Sequence, residues 1–148
     1  MTTILDNKVL IAAIASMLLA QAIKFIIAFM GSKKPNLKIL TSTGGMPSSH
    51  SALVTALVIA IGFEKGLASI ELAIAVVFAM IVMYDAAGIR RAAGKQAKVL
   101  NKMIDNMDQG QNIKEEHLKE LLGHTPVEVV AGAILGIIVA LAFYYLYN

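Results

Sequence analysis

Four apolar runs, rich in Ala, Ile, Leu, Val and Met and separated by polar or glycine-bearing stretches, dominate the chain. They predict helices over roughly Val9–Met30, Pro47–Phe63, Leu67–Tyr84 and Pro126–Tyr147. Each approaches the ~20 residues that cross ~30 Å of hydrocarbon. Helix is the expected conformation because a backbone facing lipid has to satisfy its own N–H and C=O groups. Asn7 or Asp6 can cap the first run, and Lys24 lies near that run's far end. The second run is short, about 25 Å at ~1.5 Å per residue, so its beginning is expected below the lipid surface.

Between the first two runs lies Gly31–Met46, which holds Lys33, Lys34, Lys38, Pro35 and a Thr41-Ser42-Thr43-Gly44-Gly45 stretch that reads as irregular backbone. Between the last two lies Gly88–Gly123. There Arg90–Met107 is predicted to continue as helix, Asp108-Gln109-Gly110-Gln111 to break it, and Lys114–Leu122 to form a second short helix ended by Gly123. The expected fold is all-α: one membrane-embedded domain over residues 1–148, a polytopic bundle of about four transmembrane helices with a cytoplasmic helical loop.

Composition sharpens this picture. With 57% apolar residues, 16% charged residues and a mean hydropathy of +0.71, a soluble globule is excluded. The first apolar run exceeds the ~7–15 residues of a signal-peptide core and is read as a retained helix. The absence of cysteine excludes disulfides, thiol catalysis and thiolate metal sites. The net charge of +3 matters less than its placement, since ten of the 13 Lys and Arg residues fall in 33–38 and 90–119. The positive-inside rule then places both long loops in the cytoplasm and both termini outside, in the cell membrane. Tyr144, Tyr145 and Tyr147 form an aromatic belt at the opposite interface.

Three clusters could carry chemistry. Gly44-Gly45-Met46-Pro47-Ser48-Ser49-His50 opens the second helix, with Pro47 suited to the first helical position. Its first-turn N–H groups, the Ser48 and Ser49 hydroxyls and His50 would make an anion site; the alternative is a plain capped helix start with His50 at the interface. Gly123-His124-Thr125-Pro126-Val127-Glu128 opens the fourth. Here Thr125 and Glu128 fit a capping box, while Glu128 could equally orient one nitrogen of His124 and leave the other free to attack. In Tyr84-Asp85-Ala86-Ala87-Gly88-Ile89-Arg90-Arg91, Asp85 needs a basic partner, either Arg90, Lys24 or Lys95. Arg90 and Arg91 either bind phosphate or mark the interface, and Lys24 either serves a site or snorkels. His117 reads as a solvated histidine. Gly132 and Gly136 allow close helix packing. No close-spaced metal-ligand set is present, so no metal is expected.

Pro47-Ser48-Ser49-His50 before an apolar helix, then His124-x-x-x-Glu128 leading into Val129–Gly136, resembles the type 2 phosphatidic acid phosphatase superfamily. More closely, the chain resembles its small divergent branch, the acid phosphatase/vanadium-dependent haloperoxidase-related family, over nearly its whole length, including Tyr84–Gly88 and Arg90–Gln96. In the superfamily a Pro-Ser-Gly-His histidine protonates the leaving group, a role the resemblance assigns to His50, with Ser49 in place of the glycine. The histidine that becomes phosphorylated maps onto His124, with Glu128 replacing an aspartate. The superfamily's Lys-x6-Arg-Pro motif is not met, since Lys24 is followed at that offset by Gly31. Its Ser-Arg pair is replaced by His117 and Leu118. Phosphate-binding substitutes are Arg90, Arg91, Lys34, Lys24 and Lys119.

The resemblance implies a metal-independent, cofactor-free lipid-phosphate phosphohydrolase working through phosphohistidine. Its partners would be a lipid phosphate substrate and membrane lipids, with no nucleic acid and with room for a homo-oligomer. The alternative reading is a non-catalytic phospholipid-binding, transport or assembly membrane protein that retains the anion pocket.

Overall fold

The computed structural model describes residues 6–32, 45–107, 118 and 123–147. Five helices account for almost all of them: α1 (Lys8–Ser32), α2 (Ser49–Lys65), α3 (Ile70–Ala87), α4 (Ile89–Met107) and α5 (Pro126–Tyr147). Among the described residues there is no strand. Three helical stretches among the described residues are long and apolar enough to cross a membrane, Lys8–Gly31, Ile70–Ile104 and Pro126–Leu146. The shorter α2 packs against α1, α3 and α5, so the bundle is built around it.

Local chemistry sets the helix ends. Asn7 caps α1, its Oδ1 accepting from the Leu10 N–H at 3.0 Å. Ser48 caps α2 through the Ser51 N–H and Ser69 caps α3 through the Leu72 N–H. Gly66, at φ 84°, closes α2. These caps correct two expected boundaries. Pro47 lies ahead of the α2 cap instead of at the first helical position, and α3 starts at Ile70 instead of Leu67 and runs on to Ala87. In both cases a serine hydroxyl takes an otherwise orphaned N–H and fixes where the helix begins. The expected short helix at 114–122 falls outside the described residues, apart from Leu118.

Side chains are distributed inside out. The core is small, with Ala12, Ala13, Ser16, Ala20, Ala52, Ala56, Ala75, Ala79 and Ala140 all buried. Bulky Leu18, Ile26, Phe29, Val77, Ile81, Ile134 and Ile138 are exposed. Small residues let helix backbones approach where no hydrophobic effect drives them together, and bulky apolar groups suit lipid. At the closest approach, a Cβ on Gly132 would collide with the Ser48 carbonyl oxygen and one on Gly136 with that of Ala52. The spacing visible in the sequence thus finds its partner in α2. The Ser16 hydroxyl donates to the Ala52 carbonyl at 3.0 Å, joining α1 to the same place.

The start of α1 and the ends of α2 and α5 meet at one pole, where Lys8, Phe63, Glu64 and Tyr144 line a cavity and the Phe63 and Tyr144 rings stack at 4.0 Å. Helices α2 and α5 therefore run parallel, and their N-termini lie together at the other pole.

Candidate functional site

At that second pole the starts of α2 and α5 meet the end of α3. The Ser48 N–H donates to the Glu128 carbonyl at 3.0 Å and the His124 N–H to the Ala86 carbonyl at 2.9 Å. Gly123 lies at φ 85°, and a Cβ there would collide with the backbone of Arg90 and Arg91. Both the left-handed conformation and the contact demand glycine. The segment before α5 is thereby held against the α3–α4 junction.

These constraints bring His50 and His124 together, with ring centroids 6.5 Å apart and planes at 63°. His50 is the second residue of α2 and exposed. His124 is only 2% exposed. Its Nδ1 lies 3.0 Å from Glu128 Oε2. An ionised carboxylate only accepts, so Nδ1 carries the proton and the Nε2 lone pair is free. Nε2 is buried and, among the described residues, has no hydrogen-bond partner. Burial is the main influence on the imidazole and holds its pKa below the usual histidine value, assisted by the Lys24 charge and opposed by the hydrogen bond to Glu128, the Glu128 charge and the nearby Gly45 backbone. The neutral, nucleophilic form is therefore favoured.

Glu128 fills both roles read from the sequence. Its Oε2 also accepts from the Thr125 N–H at 3.1 Å, and its own N–H donates to Thr125 Oγ1 at 3.3 Å, completing the capping box. Fixing the carboxylate as a cap also fixes its direction toward His124.

Lys24 is 3% exposed. Its side chain packs along Gly45, which has φ 94°, and among the described residues its Nζ has no hydrogen-bond partner. Its charge reaches Glu128, His124 and His50. It does not snorkel to an exposed position. Arg90 binds Asp85, Nε to Oδ2 at 2.7 Å, in a half-exposed pair that selects one of the three partners considered for Asp85. The charges of Arg90 and Asp85 also reach His50. Arg91 presents its backbone to Gly123 and an exposed side chain.

Ser48 and Ser49 are buried. The Ser48 oxygen accepts from both the N–H and the hydroxyl of Ser51, which commits it to the helix start. Among the described residues, the bonds made by the Ser51 and Ala52 N–H groups leave those of Ser49 and His50 as the orphan donors of the first turn. Lys34 and Lys119 lie outside the described residues. No three His, Asp or Glu side chains gather to hold a metal ion among the described residues.

Sequence reasoning did not find the positioning parts, namely Gly45 beneath Lys24, the Ala86 carbonyl and the Gly123 contact. The glycines carried a signal, since each stands two or three residues ahead of a helix cap. Ala86 carried none, because a backbone carbonyl is blind to residue type.

Comparison with known proteins agrees with this architecture. A family model described as the divergent PAP2 family matches residues 5–139. An uncharacterized membrane protein, YuiD of Bacillus subtilis (strain 168), is 42% identical over 155 residues, covering 97% of this chain and 98% of that protein. No solved structure matches the chain.

Proposed function

The chain belongs to the divergent PAP2 family, and from that premise we propose that it is a lipid-phosphate phosphohydrolase with a phosphohistidine intermediate. The observation that carries the reading is the pairing of a buried, carboxylate-oriented His124 with an exposed His50 at 6.5 Å, close enough for one phosphoryl group to engage both. His124 Nε2 attacks phosphorus and a P–N bond forms as the P–O bond to the lipid alcohol breaks, with His50 giving that oxygen its proton. Lys24, Arg90 and the orphan N–H groups of Ser49 and His50 stabilise the charge on the equatorial oxygens. Water then attacks the phosphohistidine, His50 accepts its proton, and inorganic phosphate leaves. Arg91 and Lys34 are further candidates for phosphate contact.

A site among apolar helices favours a substrate whose acyl or prenyl tail stays in lipid while the headgroup enters the cleft. The lysines and arginines in the two long loops favour a cytoplasmic site in the cell membrane, with both termini outside.

The test is phosphate release by protein reconstituted in vesicles, from phosphatidate, phosphatidylglycerophosphate and polyprenyl phosphates, comparing wild type with His124→Ala. Loss of release by about 10⁴-fold is expected. Equal release by both proteins rejects the nucleophile. A second reading, a non-catalytic phospholipid binder, is favoured by the absent Lys-x6-Arg-Pro motif and by His117-Leu118 where Ser-Arg would stand. Retention of a lipid phosphate without turnover across the panel, and indifference to vanadate, would select it.

A further inference from the structure

Among the described residues, α4 is the one long helix rich in charge, although it continues the Ile70–Ile104 stretch whose α3 part is apolar. Its 19 residues, about 28 Å at ~1.5 Å per residue, carry Arg90, Arg91, Lys95, Lys98 and Lys102 against Asp105. At 3.6 residues per turn, Ile89, Ala92, Val99, Leu100 and Met103 fall within an arc of about 100°. Arg91, Lys95, Lys98 and Lys102 fall within another of about 60°, centred roughly 120° away. A third stripe, Gly94, Ala97 and Asn101, is buried. There Asn101 exchanges two 2.9 Å hydrogen bonds with the Leu118 backbone. The apolar arc is uncovered, with Ile89 63%, Val99 54%, Leu100 47% and Met103 53% exposed.

We propose that α4 is an in-plane membrane-surface helix whose occupant is an anionic lipid headgroup layer. Two observations select lipid over a protein partner. The helix follows the apolar, outward-bulky α3 after the single residue Gly88, so its first turn starts where a span emerges from hydrocarbon. At Gly88 a Cβ would press on the Tyr84 carbonyl at 2.9 Å, and φ −102° with ψ −82° departs there from helical values, so this residue is where the chain would turn from the span into the membrane plane. The second observation is charge. A cationic band beside an apolar stripe complements anionic headgroups above acyl chains, with the lysine stems lying along the apolar surface. Seated this way, α4 would hold the mouth of the His50–His124 cleft at headgroup depth and enrich anionic lipids beside it. The inference does not depend on whether His124 performs chemistry.

The chain has no cysteine, so nitroxides can be placed singly through Leu100→Cys, Met103→Cys and Lys98→Cys in the full-length protein. Reconstituted in phosphatidylcholine vesicles containing phosphatidylglycerol, the probes at 100 and 103 should collide with oxygen and be shielded from a water-soluble nickel chelate. The probe at 98 should do the reverse. Equal nickel access at 98 and 100 overturns the proposal. Shielding of 100 from both agents with dipolar broadening between copies also overturns it, in favour of a second copy of the chain on that face. Lys95→Gln with Lys102→Gln should move the probe at 100 toward water, weakening insertion by about fivefold per lysine. An unchanged dependence on phosphatidylglycerol rejects the anionic partner.

Discussion

Helices α2 and α5 begin side by side from the same three parts, a hydroxyl cap, a proline and a histidine, in opposite order. At α2 the proline precedes the Ser48 cap and the histidine follows it; at α5 His124 precedes the Thr125 cap and Pro126 follows it. A histidine after the cap rides on the helix, next to N–H groups with no intrahelical acceptor, and stays in reach of water. A histidine before the cap lies off the helix, where the chain can bury it, and the capping glutamate four residues on can grip its ring. Proline after the cap deletes one orphan donor and the capping box occupies another. One start is therefore open to an anion and to proton exchange, and the other is closed around a buried, carboxylate-held imidazole. Order alone produces the difference.

The sharpest way to break that comparison is at the open start. His50→Ala should lower turnover of a lipid phosphate by about 10²–10⁴-fold while sparing an aryl phosphate, whose leaving group needs no proton. Equal losses on both substrates would deny His50 the acid role. At the closed start, Glu128→Gln keeps a capping side chain and removes the charge, and a loss of about 10²-fold is expected. The hydrogen bond to Glu128 and the charge of its carboxylate both raise the His124 pKa against burial, so removing the charge lowers the pKa further. In wild type the acid limb of kcat/KM lies below ~6.5, the usual histidine value, and the variant should move it lower still. An upward shift would contradict the assigned geometry. The same depression makes the folded state lose stability as pH falls below ~6.5, because the unfolded chain then binds the proton more readily.

Smaller effects test what holds the two starts together. Gly132→Ala drives a methyl into the Ser48 carbonyl and should cost about 1–3 kcal/mol, read as a lower Tm. Gly31→Ala, which meets nothing within 4 Å, is the control and should cost none of it. Ser48→Ala should lose about 1 kcal/mol for the missing cap and leave turnover per folded molecule within a few-fold. A larger loss of turnover would make Ser48 a phosphate contact as well as a cap.

Much of the fold was legible in the chain, and the reasons differ from element to element. Helix α5 begins at Pro126 as read, because its capping box is a contiguous pattern. Helix α2 does not begin at Pro47, because Met46 ahead of it has no side-chain oxygen to cap a helix, whereas Ser48 accepts from the Ser51 N–H. The all-α membrane character follows from the apolar runs, whose lengths are set by the bilayer. The site was legible only as separate pieces. That α2 and α5 are neighbours depends on Gly132 and Gly136 meeting the Ser48 and Ala52 carbonyls, and a small-residue spacing announces a contact without naming its partner. The burial of Lys24 was equally hidden. A lysine near the end of a span can reach headgroups or turn inward, and the choice rests on Gly45, 21 positions away in the chain.

The bond from the His124 amide to the Ala86 carbonyl, with Gly123 wedged against the backbone of Arg90 and Arg91, has one more consequence. His124 thus takes a fixed place from the end of α3 and the start of α4, two elements that the single residue Gly88 joins.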